Sequence, residues 1–336
     1  MAPHYAAAQT PHILLVKTSS LGDVLHNLPV VSDIARHYPD AQIDWVVEEG
    51  FAALPRLHPA VRNVIPVAVR RWRGKLLNIA TWRDIAAYRS ALAAQRYDIA
   101  IDTQGLLKSA LLMRGTHGLR CGYDRDSARE PLAASLYQRT FPVALRQHAV
   151  ERNRQLVAQA LGYELEGCAE YGIRPPQIAR PAWLPEQPYA VLLHATSRAD
   201  KLWDEANWVA LGRHLHERNI RCVLPWGGEA EQARSLRLAG AIPDAVAPPR
   251  LSLNEAAALL GGARAVIGVD TGLAHLAAAL GVPTVGIYTA TDPALTGLYA
   301  GHCAVNLGHV GHAPDVAAVI GALSAFNDIP QGMVAC

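Results

Sequence analysis

The 336 residues, 51% of them hydrophobic and only 18% charged, supply enough apolar surface for two separate cores and exclude a disordered chain. The net charge of +2 lacks the domain-wide basic excess that nucleic acid draws, so no nucleic-acid partner is expected. The most apolar stretch, 256–290, is broken by Arg264, Asp270 and His275 and alternates strand and helix patterns, which excludes a bilayer span. Residues 1–10 lack a signal-peptide pattern, and five scattered cysteines without C-x-x-C spacing suit a reduced cytosol and argue against zinc.

In chain order, strands are expected at 12–17, 42–47, 64–67, 98–102 and 119–122, separated by helices at 24–38, 80–94 and 106–114. After a helix at 149–161 comes a connector holding Pro175, Pro176, Pro181, Pro185 and Pro188. A second set follows, with strands at 190–194, 221–224, 265–269 and 283–287 and helices at 207–217, 229–238, 253–260 and 273–280. Strand and helix alternating in this way give α/β domains with parallel sheets. Two Rossmann-like domains are therefore expected, at 11–172 and 186–313, facing each other across a cleft. A helix over 314–328 could pack back on the first domain.

The first domain opens with Lys17-Thr-Ser-Ser-Leu-Gly-Asp23-Val-Leu-His26, read as strand, short loop, then a helix beginning after Asp23. A doubly wound sheet presents this loop at the carboxyl end of its first strand. Asp23 reads either as the helix cap or as a general base. Neither G-x-G-x-x-G nor the P-loop pattern is present, so dinucleotide and P-loop readings are weak. Between Arg70 and Arg96 seven basic residues face one acid, Asp84, with Trp72 and Trp82 among them. This local cluster reads as a solvated helix face, or as a surface for a discrete anionic partner or a membrane. Only four lysines stand against 27 arginines, and three of them, Lys17, Lys108 and Lys201, lie beside candidate motifs.

In the second half, Val266-Ile-Gly-Val-Asp270-Thr271-Gly272-Leu-Ala-His275 reads as a buried strand running into a helix. The free N–H groups of a helix N-terminus bind anions, and Gly272 lets a diphosphate approach the main chain closely; alternatively Asp270 and Thr271 merely cap the helix. The loop with Thr196, Ser197 and Lys201 offers hydroxyls and a cation beside that helix start. Leu224-Pro-Trp-Gly-Gly-Glu-Ala-Glu231 repeats the strand, glycine turn and helix theme, and an acid there can accept hydrogen bonds from ribose hydroxyls. The Asp124-Arg-Asp126 triplet lies away from these loops and reads as surface, so no metal-binding D-x-D pair is expected in the site.

Taken together, Lys17 to His26, Asp44-Trp-Val-Val-Glu-Glu-Gly-Phe51, Val64-Ile-Pro-Val-Ala-Val-Arg-Arg-Trp72, Asp102-Thr-Gln-Gly-Leu-Leu-Lys-Ser109, Ala128-Arg-Glu-Pro-Leu132, His148-Ala-Val-Glu-Arg152, His194 to Trp203 and Asp270 to His275 resemble the lipopolysaccharide heptosyltransferase I family, over roughly residues 13–326. The resemblance implies a GT-B fold and an inverting glycosyltransferase with no metal or other cofactor. It implies transfer of L-glycero-D-manno-heptose from ADP-heptose to the first Kdo residue of Kdo2-lipid A. The enzyme would be cytoplasmic and peripheral on the inner membrane, using its cytoplasmic face.

Residue by residue, the resemblance makes Asp23 the catalytic base. It makes Thr196, Ser197, Lys201, Thr271 and Gly272 donor-phosphate contacts, with Lys201 stabilising the leaving group. Glu231 would meet the ribose, and Leu251 the adenine, where the family commonly has Met. Asp270 would face the heptose. His275 is either a ligand contact or structural. Arg70, Arg71, Arg129 and His148 match acceptor positions. Two alternatives remain from sequence: another GT-B enzyme with a different nucleotide sugar, or a non-catalytic nucleotide-sugar or lipid-binding protein with no need of Asp23.

Overall fold

The computed structural model describes residues 10–75 and 77–326; residues 1–9, where no signal peptide is expected, and Cys336 lie outside the described residues. The chain divides into two compact units at Gly172/Ile173, just ahead of the proline-rich connector that starts at Pro175. No helix among the described residues is long and apolar enough to cross a membrane.

The first unit contains strands β1 (His12–Val16), β2 (Gln42–Glu48), β3 (Val61–Val67), β4 (Ile99–Asp102), β5 (Leu119–Tyr123) and β6 (Arg139–Phe141). Its helices are α1 (Leu21–Leu25), α2 (Leu28–His37), α3 (Val69–Arg73), α4 (Ile79–Ala93), α5 (Leu107–Leu112) and α6 (Ala149–Leu161). All strands pair in parallel in the order β3-β2-β1-β4-β5-β6. Ile13, Leu14, Leu15 and Val16 of β1 are wholly buried, the continuous apolar run expected of a parallel strand covered on both faces.

The second unit contains β7 (Tyr189–Leu193), β8 (Arg221–Val223), β9 (Ala265–Val269), β10 (Thr284–Ile287) and β11 (Ala304–Leu307). Its helices are α7 (Glu205–Glu217), α8 (Glu229–Ala241), α9 (Leu253–Gly261), α10 (Gly272–Ala279), α11 (Pro293–Thr296) and α12 (Val316–Ala325). Its parallel sheet runs β11-β10-β9-β7-β8. Trp203 and Trp208 pack edge to face with centroids 5.1 Å apart in its core. Such a pair adds about 0.5–1.5 kcal/mol beyond its buried area.

In a doubly wound sheet, ligands bind beyond the carboxyl ends of the strands where the winding reverses. The first sheet reverses between β1 and β4, so that point is bordered by the loops holding Lys17–Ser20 and Thr103–Leu106. The second reverses between β7 and β9, bordered by the loops holding Thr196 and Asp270.

Two points depart from expectation. The helix expected at 24–38 is two helices, α1 and α2, interrupted at His26 and Asn27. Pro29, which has no N–H to give, is tolerated at the second residue of α2 and would have broken one continuous helix. Consequently Asp23 does not precede the helix but occupies its third position. The edge strands β6 and β11 went unpredicted, because three or four half-exposed residues give no apolar run. The C-terminal helix α12 buries Val319 against the second unit's core and is capped by Asp315 Oδ1, which accepts from Ala318 N at 2.8 Å. It packs on α7, β10 and β11 of its own unit.

Candidate active site

Asp23 lies in the first turn of α1, and its Oδ2 accepts the backbone N–H of Ser20 at 2.9 Å. That bond satisfies one of the orphan donors of the helix start. Arg129 approaches from the loop after β5 and donates from NH2 to Asp23 Oδ1 at 2.8 Å and from NH1 to Oδ2 at 3.4 Å. Burial raises the Asp23 pKa, but the positive charges of Lys17 and Arg129 and the Ser20 bond outweigh it and hold the carboxyl below its usual range. Ser20 Oγ also lies 3.5 Å from Oδ2, whereas Oδ1 takes a single donor from Arg129, so the second lone pair of Oδ1 faces an incoming hydroxyl.

Lys17, at the end of β1, is buried. Its Nζ donates to the Thr103 carbonyl at 2.7 Å and to Asn153 Oδ1 at 3.2 Å. Burial pulls its pKa down to about 8, with Asp23 partly restoring it and Arg129 lowering it further. Asn153 is itself fixed, accepting from Tyr123 Oη at 3.1 Å and donating to the His26 carbonyl at 3.0 Å. Lys17, Arg129 and Arg152 converge with Tyr123, Ser127 and Gln104 on one pocket of the first unit. The guanidinium of Arg152 stacks 5.1 Å over the Tyr123 ring and donates to the Ser127 carbonyl at 2.6 Å. Three cations around one pocket form a site for an anion such as a carboxylate.

The loop that carries Asp23 is held from β4. Asp102 Oδ1 accepts from Gln104 N at 2.8 Å, and Gln104 Oε1 accepts from Thr18 N at 3.1 Å and Ser19 N at 3.2 Å. Gly105 has φ +67, and a Cβ there would sit 3.3 Å from Arg129 N. A side chain at this position would be strained and would press on the residue that holds the base.

In the second unit Asp270, just after β9, is the hub. Its Oδ2 accepts from Lys201 Nζ at 2.6 Å and from Thr291 Oγ1 at 2.7 Å, its carbonyl accepts from Thr196 Oγ1 at 3.1 Å, and His275 Nε2 lies 4.0 Å from Oδ1. Burial raises the Asp270 pKa, yet His275, Lys201 and Thr291 together press it far below the usual carboxylate range. Thr271 is the N-cap of α10 with extended backbone and makes no side-chain cap bond; Ala274 N turns back to the Thr271 carbonyl at 3.1 Å, so the amides of Gly272 and Leu273 are the ones placed for an anion. Lys201 gives one of its three donors to Asp270, leaving others for a phosphate.

Each of the remaining expected residues has a definite place. Glu231 Oε2 accepts the Gly227 N–H at 2.7 Å, closing the glycine turn before α8. Leu251 is half-buried, immediately before Ser252, the N-cap of α9. Ser197 is exposed. Arg71 pairs with Asp84 at 2.8 Å and Glu49 at 3.3 Å, and Arg70 lies 5.7 Å over the Phe51 ring. His148 is buried and caps α6, its Nδ1 accepting from Val150 N at 3.2 Å, with its ring 5.2 Å from that of His26. The structure therefore brings Arg129 to Asp23 and gathers Thr196, Lys201, Asp270 and His275, while His148 serves its own helix. Sequence reasoning missed Thr291, Gln104, Asn153 and Arg152. For Thr291 the available signal was a hydroxyl following a buried strand, at the sheet edge that also carries Asp270.

The match to known proteins decides the family. Residues 85–320 match the model of "Glycosyltransferase family 9 (heptosyltransferase)". The chain is 52% identical over 301 residues to lipopolysaccharide heptosyltransferase 1 of Pseudomonas aeruginosa, covering 88% of this chain and 83% of that protein.

The chain belongs to glycosyltransferase family 9.

It is a heptosyltransferase of lipopolysaccharide core biosynthesis with the GT-B fold. It is also 46% identical over 291 residues to lipopolysaccharide heptosyltransferase 1 of Escherichia coli K12, covering 85% of this chain and 90% of that one. Among solved structures, E. coli heptosyltransferase WaaC with ADP superposes with a TM-score of 0.86 at 42% identity, covering 94% of this chain and 99% of that one. E. coli heptosyltransferase II superposes with a TM-score of 0.72 at 20% identity, a likeness of fold. Within a heptosyltransferase, the two clusters separate by charge: cations around Asp23 in the first unit, and a helix start with Lys201 and Asp270 in the second.

Proposed function

We propose that this heptosyltransferase moves L-glycero-D-manno-heptose from ADP-heptose to the first Kdo residue of Kdo2-lipid A, by single displacement with inversion and without a metal. The donor belongs to the second unit. Thr196, Ser197, Lys201, Thr271 and Gly272 bind the diphosphate, Glu231 the ribose, Leu251 the adenine, and Asp270 the heptose. The acceptor belongs to the first unit, with Arg70, Arg71, Arg129 and His148 meeting its anionic groups. A solved relative was captured with ADP-2-deoxy-2-fluoro heptose, at a TM-score of 0.82 and 41% identity, which supports this choice of donor.

The observation that carries the reading is Asp23 at the winding reversal of the first sheet, ionised and flanked by Arg129 and Lys17. Asp23 takes the proton of the Kdo hydroxyl as its oxygen bonds to the anomeric carbon, while the bond from that carbon to the diphosphate breaks and ADP leaves. Negative charge grows on ADP during the step, so Lys201 and the α10 amides bind the transition state more strongly than the ground state. A lipid-linked acceptor further implies that the enzyme works peripherally on the cytoplasmic face of the inner membrane.

The test is product analysis after incubation with ADP-heptose and Kdo2-lipid A. One heptose on the first Kdo, with its anomeric configuration inverted, is expected. Retained configuration, or heptose on another sugar, would refute the mechanism or the acceptor.

A further inference from the structure

Around the start of α4, Leu77, Ile79 and Trp82 expose apolar side chains that nothing in the transfer chemistry uses. Leu77 is 104% exposed, Ile79 71% and Trp82 57%. They are not on a loose strand. Trp72 is buried in the core, Lys75 N donates to the Trp72 carbonyl at 3.0 Å, Asn78 N donates to the Lys75 carbonyl at 3.0 Å, and Asn78 Oδ1 caps α4 by accepting from Ala80 N at 2.9 Å. The inner face of α4 is occupied by Thr81, Tyr88 and Leu92, which join the core, so Trp82 and Arg83 remain on its outer side. The hydrogen-bonded Asn78 and the first turn of α4 thus keep three large apolar side chains more than half exposed close together in sequence, the kind of apolar group that marks an interaction surface.

The surrounding charge identifies the occupant. Arg73, Lys75 and Arg83 are exposed around the apolar group. Across residues 70–96 seven cations face one acid, and that acid, Asp84, is already paired with Arg71. Exposed Leu, Ile and Trp among cations is the composition that inserts at the boundary of an anionic bilayer: apolar groups enter the acyl region, Trp favours the headgroup level, and Lys and Arg meet the phosphates. The position agrees. All strands of this sheet are parallel, so the segment after β3 leaves the same sheet edge as Asp23, which follows β1. On the far side of β1, beyond β4 and β5, the same edge exposes Leu107, Leu111 and Leu132.

We infer that Arg73, Lys75, Leu77, Ile79, Trp82 and Arg83, around the start of α4, form a docking surface for an anionic phospholipid bilayer, which brings the Asp23 edge of the first unit to a lipid-anchored acceptor. The inference rests on the proposed lipid acceptor, but its test does not need any substrate.

Full-length protein is sedimented with vesicles of phosphatidylethanolamine and phosphatidylglycerol, and with pure phosphatidylcholine vesicles. Wild-type protein binds the anionic vesicles at least tenfold more tightly, and the difference shrinks with salt. The variant Leu77→Ser, Ile79→Ser, Trp82→Ala loses about tenfold or more of that binding, as does Arg73→Glu, Lys75→Glu, Arg83→Glu, whose cation-to-acid changes leave the apolar groups in place. Both variants keep wild-type transfer to a soluble, deacylated acceptor. Equal binding to both vesicle types overturns the inference, as does undiminished anionic binding by both variants. So does a wild-type dimer that the apolar variant splits without losing vesicle binding, since the patch would then be an interface between copies. Failure of the transfer reading alone, with vesicle binding as described, shows as loss of product from wild-type protein on any Kdo acceptor.

Discussion

Arg129 and Asp23, 106 residues apart in sequence, form an ion pair at 2.8 Å between the loop after β5 and the first turn of α1. The pair does two things. It fixes the carboxylate against the Ser20 amide, and it keeps the carboxylate ionised. Removing Arg129 removes a positive neighbour, so the Asp23 pKa must rise. Arg129→Ala is therefore expected to shift the acid limb of the kcat/KM profile to higher pH and to lower kcat by about tenfold or more, as the base loses its fixed geometry. Arg129→Lys should keep most of the charge effect and lose the two-toothed geometry. An unmoved acid limb in both variants would mean that Arg129 does not tune the base.

Lys17 governs the other side of the profile. Its pKa of about 8 means that the buried ammonium is charged at neutral pH and neutral above about 9. As pH rises through 8 the anion pocket loses one of its three cations. The kcat/KM for acceptor should then fall by roughly tenfold, the equivalent of about 1.4 kcal/mol, whereas the KM for ADP-heptose should not follow. In Lys17→Met the value is low throughout and the alkaline limb is gone. Retention of that limb in Lys17→Met would assign it to another group.

Lys201→Ala should weaken ADP binding and cut turnover together, because its ammonium, 2.6 Å from Asp270, is then lost from both the ground and transition states. Wild-type activity should persist in excess EDTA. A loss of turnover on chelation, restored by Mg²⁺ or Mn²⁺, would contradict the metal-free step.

Much of this was legible in the sequence, and the failures have physical causes. The buried parallel strands read clearly because a strand covered on both faces must be almost wholly apolar, as in β1 and β9. The junction at Asp270–Gly272 was legible for the same reason, since a polar residue directly after such a strand stands at the ligand edge. The helix start at Asp23 was misplaced by three residues, because Ser20 and Asp23 are both capable caps and only the backbone decides between them. Arg129 as a partner of Asp23, and the Asn153–Lys17 bond, lay beyond local reading: each joins residues over a hundred positions apart, and no periodicity encodes such a contact. Asp44 illustrates the same limit at the opposite edge of the sheet. It is fully buried and held by Arg62 and Tyr97 at 2.7 and 2.8 Å, although its neighbours Trp45 to Val47 give no hint of those partners.

Histidine burial sets a stability window. His58 Nδ1 accepts from Ala60 N at 3.1 Å and Nε2 meets Ser32 Oγ at 3.0 Å, and burial lowers its pKa to about 4. His194, buried at the end of β7, is lowered to about 4 by burial and by Arg234. Between pH 6.5 and 4 the unfolded chain binds protons that the folded chain does not, so stability falls as pH drops through this window. Each histidine accounts for on the order of 2–3 kcal/mol at the lower end. The midpoint of thermal unfolding should decline from pH 7 to pH 4.5, and His58→Gln, which keeps an amide to serve Ser32 and Ala60, should flatten the decline. A midpoint independent of pH in this range would show that neither ring is kept neutral by folding.

The most direct measurement compares Asp23→Asn with wild-type protein in two assays on the same preparation: titration with ADP-heptose, and turnover with Kdo2-lipid A. The amide keeps the size of the side chain and an acceptor for the Ser20 N–H, but it cannot take a proton. The account predicts unchanged ADP-heptose affinity and a kcat lower by about 10²–10⁴, the range of a general base. Turnover at the wild-type rate, or loss of donor affinity in step with turnover, would contradict it.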